Sequence, residues 1–348
     1  MRKLATIRKI DAVKPIEGAD FIEVVKLGGW QCVASKGEFQ PGDFCVYFEI
    51  DSFLPIEERY EFLRKSSYRK LEELEGGRGE GFRLRSVKLR GELSQGLAMP
   101  LSKFPELDSV EEGDEVTEIL KVEKWEPPIP ASLAGEVRGM FPGFIPQTDE
   151  ERIQNLPHYF EDHLDTDFEV TEKIDGSSMT VFKTADDFGV CSRGLDLKSS
   201  DKNSFWVKAK ELKLQELMQE FGRNIALQGE LAGEGIQKNR LKIKGHRFFV
   251  FNIWDMDMKR YLTPDERKDV IKWFKEKTPI DHVPVIQESM KVFQEHDMES
   301  LLEFADGNSE VNPKMRREGL VFKSRVVIGN QIISFKSISN KYLLKTGD

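Results

Sequence analysis

The stretch from Thr171 to Thr180 constrains the fold of this chain more than any other. Residues typical of β-strands precede Lys173, Asp175-Gly176 predicts a turn, and a second β-prone run follows. Lys173 therefore lies at the end of a strand, with the Asp175 carboxylate two residues later on the same face. A lysine amine has an ordinary pKa of about 10.4, so it becomes a nucleophile only where burial or nearby cations lower that pKa. The pattern alone fits a plain hairpin with a surface lysine equally well.

Five further short motifs follow in order along the chain. They occupy residues 191–194 (Cys-Ser-Arg-Gly), 228–231 (Gln-Gly-Glu-Leu), 248–255, 318–323 and 333–340. Together with the lysine motif, they resemble the motifs of the covalent nucleotidyltransferase superfamily, which contains polynucleotide ligases and mRNA capping enzymes. Residues 148–155 narrow the resemblance to ATP-dependent RNA ligases of the Deinococcus and Naegleria type. This resemblance spans nearly the whole chain.

Two domains of different character are predicted. Short β-prone segments fill residues 1–125, with one helix-compatible insertion, and favour a small β-barrel of the OB type. Adjacent prolines predict a linker over residues 126–147. Residues 148–348 form the expected nucleotidyltransferase domain of antiparallel sheets flanked by helices, so the predicted fold class is α+β.

Local patterns add detail to each domain. Residues 82–90 alternate apolar side chains with four cations, which predicts a strand whose basic face follows an RNA backbone or is simply solvated. The glycine run at residues 76–81 predicts a mobile loop. Apolar spacing predicts one helix over residues 203–221, and Thr263-Pro264-Asp265-Glu266 is a capping box that predicts the start of another.

The resemblance implies a chemical role for the lysine motif and for three carboxylates. Lys173 is expected to take AMP from ATP as a covalent lysyl-AMP. Asp175, Glu230 and Glu318 are expected to bind Mg²⁺ or Mn²⁺ through metal-bound water, because both ions favour carboxylate oxygens and Mg²⁺ gives up water reluctantly.

The resemblance also assigns residues to the nucleotide and the RNA. Lys323 and Lys336 are expected to contact the ATP phosphates and to lower the pKa of Lys173. The remaining expectations are Phe251 stacked on adenine, Glu172 selecting adenine through its backbone, Arg193 on the ribose or 5′-phosphate, and Arg152 on the RNA 5′-phosphate. This sequence departs from the pattern at Ser334, where several RNA ligases have a lysine, and at Asn252, where aspartate is common.

Composition limits the other possibilities. The net charge of −9 argues against a general nucleic-acid coat, although positive charge can still gather in one cleft. The three scattered cysteines predict buried free thiols, and the five histidines show no metal-ligand spacing. Without an apolar run of about 18–20 residues, we expect a cytoplasmic protein, a monomer, that does not act at a membrane.

The predicted activity is ATP-dependent joining of RNA 3′-OH and 5′-phosphate ends, with RNA ends or a nicked duplex as partner. A DNA ligase or capping enzyme is the alternative within the superfamily. Those enzymes usually carry an OB domain after the last motif, and little sequence follows Asn340 here. A non-catalytic RNA-binding OB protein is the alternative from another class.

Overall fold

The computed structural model describes residues 3–70, 79–126 and 135–346. The chain divides into two compact units, one comprising Met1–Pro130 with Leu343–Asp348 and the other Ala131–Tyr342. Within the described residues, no helix has the length and apolar character needed to cross a membrane.

The first unit is built from short strands. They are β1 (Ala5–Lys9), β2 (Ala12–Pro15), β3 (Ile22–Leu27), β4 (Trp30–Ser35), β5 (Phe44–Phe48), β6 (Ser52–Leu54), β7 (Tyr68–Lys70), β8 (Glu80–Arg83), β9 (Ser86–Leu89), β10 (Glu92–Gln95), β11 (Leu97–Pro100) and β12 (Glu123–Lys124). A 3₁₀ turn (Glu58–Leu63) and the helix α1 (Arg64–Ser67) interrupt them, and a second 3₁₀ turn (Leu101–Lys103) follows β11. The strands pair in the orders β1-β5-β11, β2-β3-β4, β12-β6-β8-β7 and β10-β9, and two apolar clusters fill the spaces between them.

The predicted alternation over residues 82–90 holds only for its first half. Phe82 and Leu84 are buried, whereas Val87 and Leu89 are 38% and 41% exposed. The physical reason is that, among the described strands, β9 pairs only with β10, in a two-stranded ribbon whose residues after Ser86 are not covered by the core. The first glycines of the run at residues 76–81 lie outside the described residues, as does part of the predicted linker.

The second unit contains two sheets. Its strands are β13 (Val137–Met140), β14 (Phe168–Lys173), β15 (Ser177–Lys183), β16 (Phe188–Cys191), β17 (Leu195–Leu197), β18 (Ile225–Gly233), β19 (His246–Asp255), β20 (Arg260–Tyr261), β21 (Asp281–His282), β22 (Val285–Met290), β23 (Gly319–Ser324) and β24 (Ser334–Ile338). The larger sheet has the order β13-β17-β16-β15-β18-β19-β20, with β21 parallel to β19, and the smaller has the order β22-β14-β23-β24. Strand β13 lies within the predicted linker, yet it pairs with β17.

Helices cover the sheets of this unit. They are α2 (Tyr159–Asp162), α3 (Ser204–Glu211), α4 (Leu214–Phe221), α5 (Pro264–Lys275), α6 (Val292–Glu295) and α7 (Met298–Phe304), and a 3₁₀ turn spans Ile153–Asn155. A last helix, α8 (Asn340–Thr346), begins in this unit and ends in residues assigned to the first. The capping box at the start of α5 is confirmed. The single helix predicted over residues 203–221 is wrong, because Lys213 adopts a left-handed conformation (φ 51°) that separates α3 from α4. The break lets Leu212 and Leu214, on either side of it, both reach the core.

The lysine motif connects the two sheets instead of forming a hairpin. Strand β14 pairs with β22 and β23, whereas β15 pairs with β16 and β18. The turn at Asp175-Gly176 thus carries the chain from the smaller sheet to the larger one. A Cβ atom on residue 176 would overlap the carbonyl oxygen of Leu231, so the crossing requires glycine at this point.

Candidate active site

Lys173 lies at the last position of β14, directly opposite Gly319 of β23. Its Nζ lies 2.8 Å from each carboxylate oxygen of Glu318, the residue that precedes β23. A side chain at position 319 would overlap the carbonyl oxygen of Ser337 on the neighbouring strand, so glycine lets the strands approach closely beside Lys173. The Lys173 side chain as a whole is 27% exposed.

Carboxylates, and not lysines, dominate the electrostatics of this amine. Burial by itself lowers the pKa of Lys173, but Glu318, Glu230 and Asp175 outweigh burial and raise it above its ordinary value. The expectation that Lys323 and Lys336 lower this pKa is therefore wrong for the structure described. The reason is geometric, because both of those amines have hydrogen-bonding partners elsewhere, Phe251 and Asp149.

The predicted metal-binding carboxylates come from three separate elements. Glu230 lies on β18, where burial and then the charges of Glu318 and Asp175 raise its pKa to about 8. Burial is the larger cause, and the neighbouring carboxylates add to it against the opposing charge of Lys173; a divalent cation at this position would favour the ionised carboxylate. Among the described residues, no three carboxylate, imidazole or thiol groups are close enough together to bind one ion directly. The donor set therefore fits a cation held largely through water, as hard oxygen ligands allow.

Asp175 is held by two residues that the sequence analysis missed. Its Oδ2 accepts hydrogen bonds from Arg240 Nη1 at 3.0 Å and from the Tyr342 hydroxyl at 2.7 Å, and Arg240 also contacts Tyr342 at 2.8 Å. Arg240 lies in the loop between β18 and β19, outside every motif. Tyr342 lies two residues after the last motif, and this nearness was the only signal in the sequence for its contact with Asp175.

A second group of cations surrounds Asp149. The Asp149 carboxylate accepts from Arg193 Nη2 at 3.0 Å and from Lys336 Nζ at 3.3 Å, so it bridges two residues predicted to bind phosphate. The backbone at Arg152 forms a β-bridge with that of Lys336, and the Lys336 amide donates to the Glu151 carbonyl at 2.8 Å. The structure therefore places the backbone of Arg152 beside Lys336, and Asp149 links Lys336 to Arg193.

Ser334 occupies the position where related ligases have a second lysine. Its hydroxyl donates to Glu150, in the segment that runs beside β24. The serine at this position thus fixes the segment around Glu150 against β24.

Phe251 lies at an irregularity in β19. Gln228 pairs with Asn252 and Gly229 pairs with Val250, so Phe251 is the extra residue of a β-bulge. Bulges redirect side chains and are common beside active sites. Lys323, only 3% exposed, donates from Nζ to the Phe251 carbonyl at 2.7 Å, and the same atom lies 5.3 Å from the centre of the Phe251 ring. Lys323 thus contacts Phe251, the residue predicted to stack on adenine, whereas Lys336 contacts Asp149.

Glu172 points away from Lys173 into the protein. Its Oε2 accepts from the Glu310 amide at 2.7 Å, and its own amide donates to the Pro284 carbonyl at 2.9 Å. Burial raises the pKa of this carboxyl. The side chain thus fixes the loop around residue 310 against β14.

Two family models match the chain. One, described as an OB-fold domain, matches residues 4–101, and the other, described as RNA ligase, matches residues 166–340. The chain belongs to the RNA ligase family. The predicted α+β fold, with an OB domain before the nucleotidyltransferase domain, and the predicted class of activity are confirmed for this RNA ligase.

Solved structures of the Naegleria gruberi RNA ligase resemble this RNA ligase over its full length. A substituted form without ligand is 46% identical, with a TM-score of 0.86, and the match covers 100% of this chain and 99% of that one. A substituted form with ATP and Mn is 45% identical, with 99% of each chain covered and a TM-score of 0.86. The form with PPi is 46% identical, with 100% of each chain covered and a TM-score of 0.85. None of the curated proteins compared with the chain matches it significantly.

Proposed function

We propose that this RNA ligase uses ATP to join RNA 3′-OH and 5′-phosphate ends through a covalent lysyl-AMP on Lys173. The observation that carries the proposal is the placement of the Lys173 amine. It lies at a strand end, on a partly exposed side chain, and 2.8 Å from Glu318, with Glu230 and Asp175 acting on the same atom. The Naegleria gruberi structures with ATP and Mn, and with PPi, support ATP as substrate and a divalent metal as cofactor.

The reaction requires three transfers at phosphorus. The Lys173 nitrogen first attacks the α-phosphorus of ATP, so that an N–P bond forms as pyrophosphate leaves. An oxygen of the RNA 5′-phosphate then takes the AMP and breaks that bond. Finally the RNA 3′-OH attacks the activated phosphate and releases AMP. Covalent catalysis of this kind divides one difficult displacement into easier steps.

Residues of the chain prepare the first transfer in defined ways. Glu318 accepts hydrogen bonds from the Lys173 amine and so fixes its direction. The amine must lose its proton before attack, and the carboxylates that raise its pKa oppose that loss. Asp175, Glu230 and Glu318 would hold Mg²⁺ or Mn²⁺, whose charge offsets theirs and stabilises negative charge on the phosphates.

The remaining residues are proposed to bind the substrates. Lys336 and Arg193 contact phosphate or ribose, and Arg152 grips the RNA 5′-phosphate, since guanidinium groups suit bidentate binding of phosphate. Phe251 stacks on adenine. Lys323, whose Nζ donates to the Phe251 carbonyl, is also proposed to contact the ATP phosphates.

Two substrate-binding assignments rest on the resemblance more than on geometry. Glu172 is proposed to select adenine through its backbone, although its amide already donates to the Pro284 carbonyl. The RNA substrate is proposed to be a pair of ends or a nicked duplex.

The protein is also proposed to be a monomer and to act in the cytoplasm. The three cysteines are buried and unbridged, as thiols are in reducing compartments. Burial raises the pKa of Cys45 to about 12 and also raises the pKa of Cys32 and Cys191, so all three remain as thiols. Sedimentation at several protein concentrations tests the monomer.

Transfer of radioactive α-phosphate from ATP to the protein tests the covalent step. With Mg²⁺ or Mn²⁺, the wild-type protein becomes labelled, Lys173→Ala does not, and the exposed-lysine control Lys272→Ala labels normally. A normal amount of label on Lys173→Ala rejects the assignment of the nucleophile. An unlabelled wild-type protein supports the RNA-binding alternative, and preferential sealing of nicked DNA over nicked RNA supports a DNA ligase.

A further inference from the structure

The segment that leads into the phosphate-binding cations carries an exposed aromatic side chain. Residues 141–149, named here the Phe144 loop, leave β13 and end at Asp149. Phe144 is 54% exposed, and Met140, immediately before the loop, is 75% exposed. Asp149, at the end of the loop, accepts from Arg193 and Lys336, so the loop carries an exposed aromatic ring and ends at two cations.

Both ends of the Phe144 loop contact the same turn. At its start, the Phe141 amide donates to the Gly194 carbonyl at 3.0 Å. At its end, the Asp149 carboxylate accepts from Arg193 at 3.0 Å. The loop thus leaves the Arg193-Gly194 turn and returns to it. Three residues span at most about 11 Å, so the backbone of Phe144 stays within that distance of Phe141, which adjoins the turn.

The middle of the loop is fixed to the core. Ile145 is buried in a cluster with Phe182, and the carbonyl of Pro146 accepts from Gln228 Nε2 at 2.8 Å. The Phe144 ring meets the Phe182 ring edge to face, with ring centres 5.7 Å apart. One edge of the Phe144 ring is therefore supported while much of its surface remains open to solvent, so little conformational entropy is lost when a planar ligand stacks on it.

The acidic residues of this region are already engaged. Asp149 bridges Arg193 and Lys336, Glu150 accepts from Ser334, and Glu151 accepts from Asn155 at 2.7 Å. A phosphate that binds Arg193 and Lys336 would therefore displace Asp149 from them, while Glu150 and Glu151 keep their own partners. An aromatic face and cations joined by one short loop are the elements that bind single nucleotides of a strand by stacking and by charge.

We propose that the Phe144 loop binds the base at the 5′-phosphate end of the RNA, with the Phe144 ring stacked on that base while the neighbouring cations hold its phosphate. This proposal rests on the proposed function, because it assigns the base that accompanies the phosphate in the second transfer. It predicts that the enzyme distinguishes a 5′ end that carries a base from one that lacks it. Alanine substitution of a stacking aromatic typically weakens binding by about tenfold or more per base.

The experiment isolates the second transfer with preformed enzyme-AMP. It measures the formation of 5′-adenylated RNA from two 5′-phosphorylated strands, one natural and one whose first nucleotide lacks its base. The wild-type enzyme is expected to favour the natural strand by about tenfold or more at sub-saturating RNA. Phe144→Ala should lose most of that preference, and so should Phe144→Leu, which keeps apolar contact with Phe182 but has no ring. Leu164→Ala, at an exposed apolar residue elsewhere in the same unit, should keep it.

The outcomes separate this inference from the function on which it rests. If the wild type forms enzyme-AMP and adenylates RNA but does not distinguish the two strands, the Phe144 loop does not bind the base. Equal losses for Phe144→Ala on both strands would also overturn the proposal, because they indicate a structural role or a protein partner. If the wild type forms no enzyme-AMP at all, the proposed function fails first.

Discussion

Replacement of Lys323 by methionine tests a buried amine of the second unit whose pKa is strongly lowered. Lys323 is 3% exposed, and burial, followed by the charge of Arg267, lowers its pKa from 10.5 to about 7, against the smaller opposing effects of Glu150 and Glu169. In the unfolded chain the same amine titrates near its ordinary value. Folding therefore releases a proton from Lys323 between these two pH values, so the unfolded state binds more protons.

The sign and size of the effect follow from that difference. Stability that depends on Lys323 is fully present above the unfolded pKa and is lost as the pH falls through the folded pKa of about 7. At about 1.36 kcal/mol for each unit of pKa, and with the amine half protonated at pH 7, this contribution grows by about 2 kcal/mol between about pH 7 and pH 9. Methionine keeps the length and apolar character of the side chain but cannot titrate. It also leaves the Phe251 carbonyl without its Nζ donor, a loss that does not depend on pH.

Urea unfolding of both proteins at about pH 7, 8 and 9 measures this difference. The free energy of unfolding of the wild type, minus that of Lys323→Met, should rise by about 2 kcal/mol over this range. The exposed-residue control Lys272→Met should give no such rise. A wild-type minus Lys323→Met difference that stays constant with pH would show that the buried amine does not change its protonation on folding, and the reasoning would be refuted. In the same proteins, Lys323→Met should raise KM for ATP more than it lowers kcat, because Phe251 loses its support.

Three further substitutions test other contacts in the site. Asp149→Asn removes the carboxylate that bridges Arg193 and Lys336, the two cations proposed to bind phosphate. The KM for ATP in enzyme-AMP formation should therefore fall several-fold; a rise would show that the bridge is needed for binding. Arg240→Met removes a charged hydrogen bond to Asp175, and such a bond contributes about 1.5–3 kcal/mol. Enzyme-AMP formation should therefore slow by at least about tenfold in rapid-quench assays, while the circular dichroism spectrum stays unchanged. Gly176→Ala introduces a Cβ that overlaps the Leu231 carbonyl oxygen, so thermal unfolding should show a loss of about 2 kcal/mol or more, and an unchanged melting temperature would contradict the close packing.

Motif order was sufficient to predict the family, the α+β class and the meeting of distant carboxylates at Lys173. Each motif is a strand end or a turn, and such local features are encoded by short stretches of sequence. The capping box at Thr263 was predictable for the same reason, since its hydrogen bonds join residues three positions apart.

Features that depend on tertiary pairing were not predictable. Strands on both sides of Asp175-Gly176 have the local pattern of a hairpin, and only their partners show that they belong to different sheets. The break at Lys213 is absent from the apolar spacing because the spacing continues across it. Arg240 reaches Asp175 across 65 positions, and no local pattern marks such a contact.

The crossing at Asp175-Gly176 has a consequence for distant substitutions. Lys173 ends β14 of the smaller sheet and Glu318 directly precedes β23 of that sheet, whereas Glu230 belongs to the larger one. Any change that lets the two sheets move relative to each other by a fraction of an ångström therefore alters the position of Lys173 relative to Glu230. Core substitutions far from ATP should therefore resemble catalytic defects, and screens for inactive variants of this ligase will recover many that never touch a substrate.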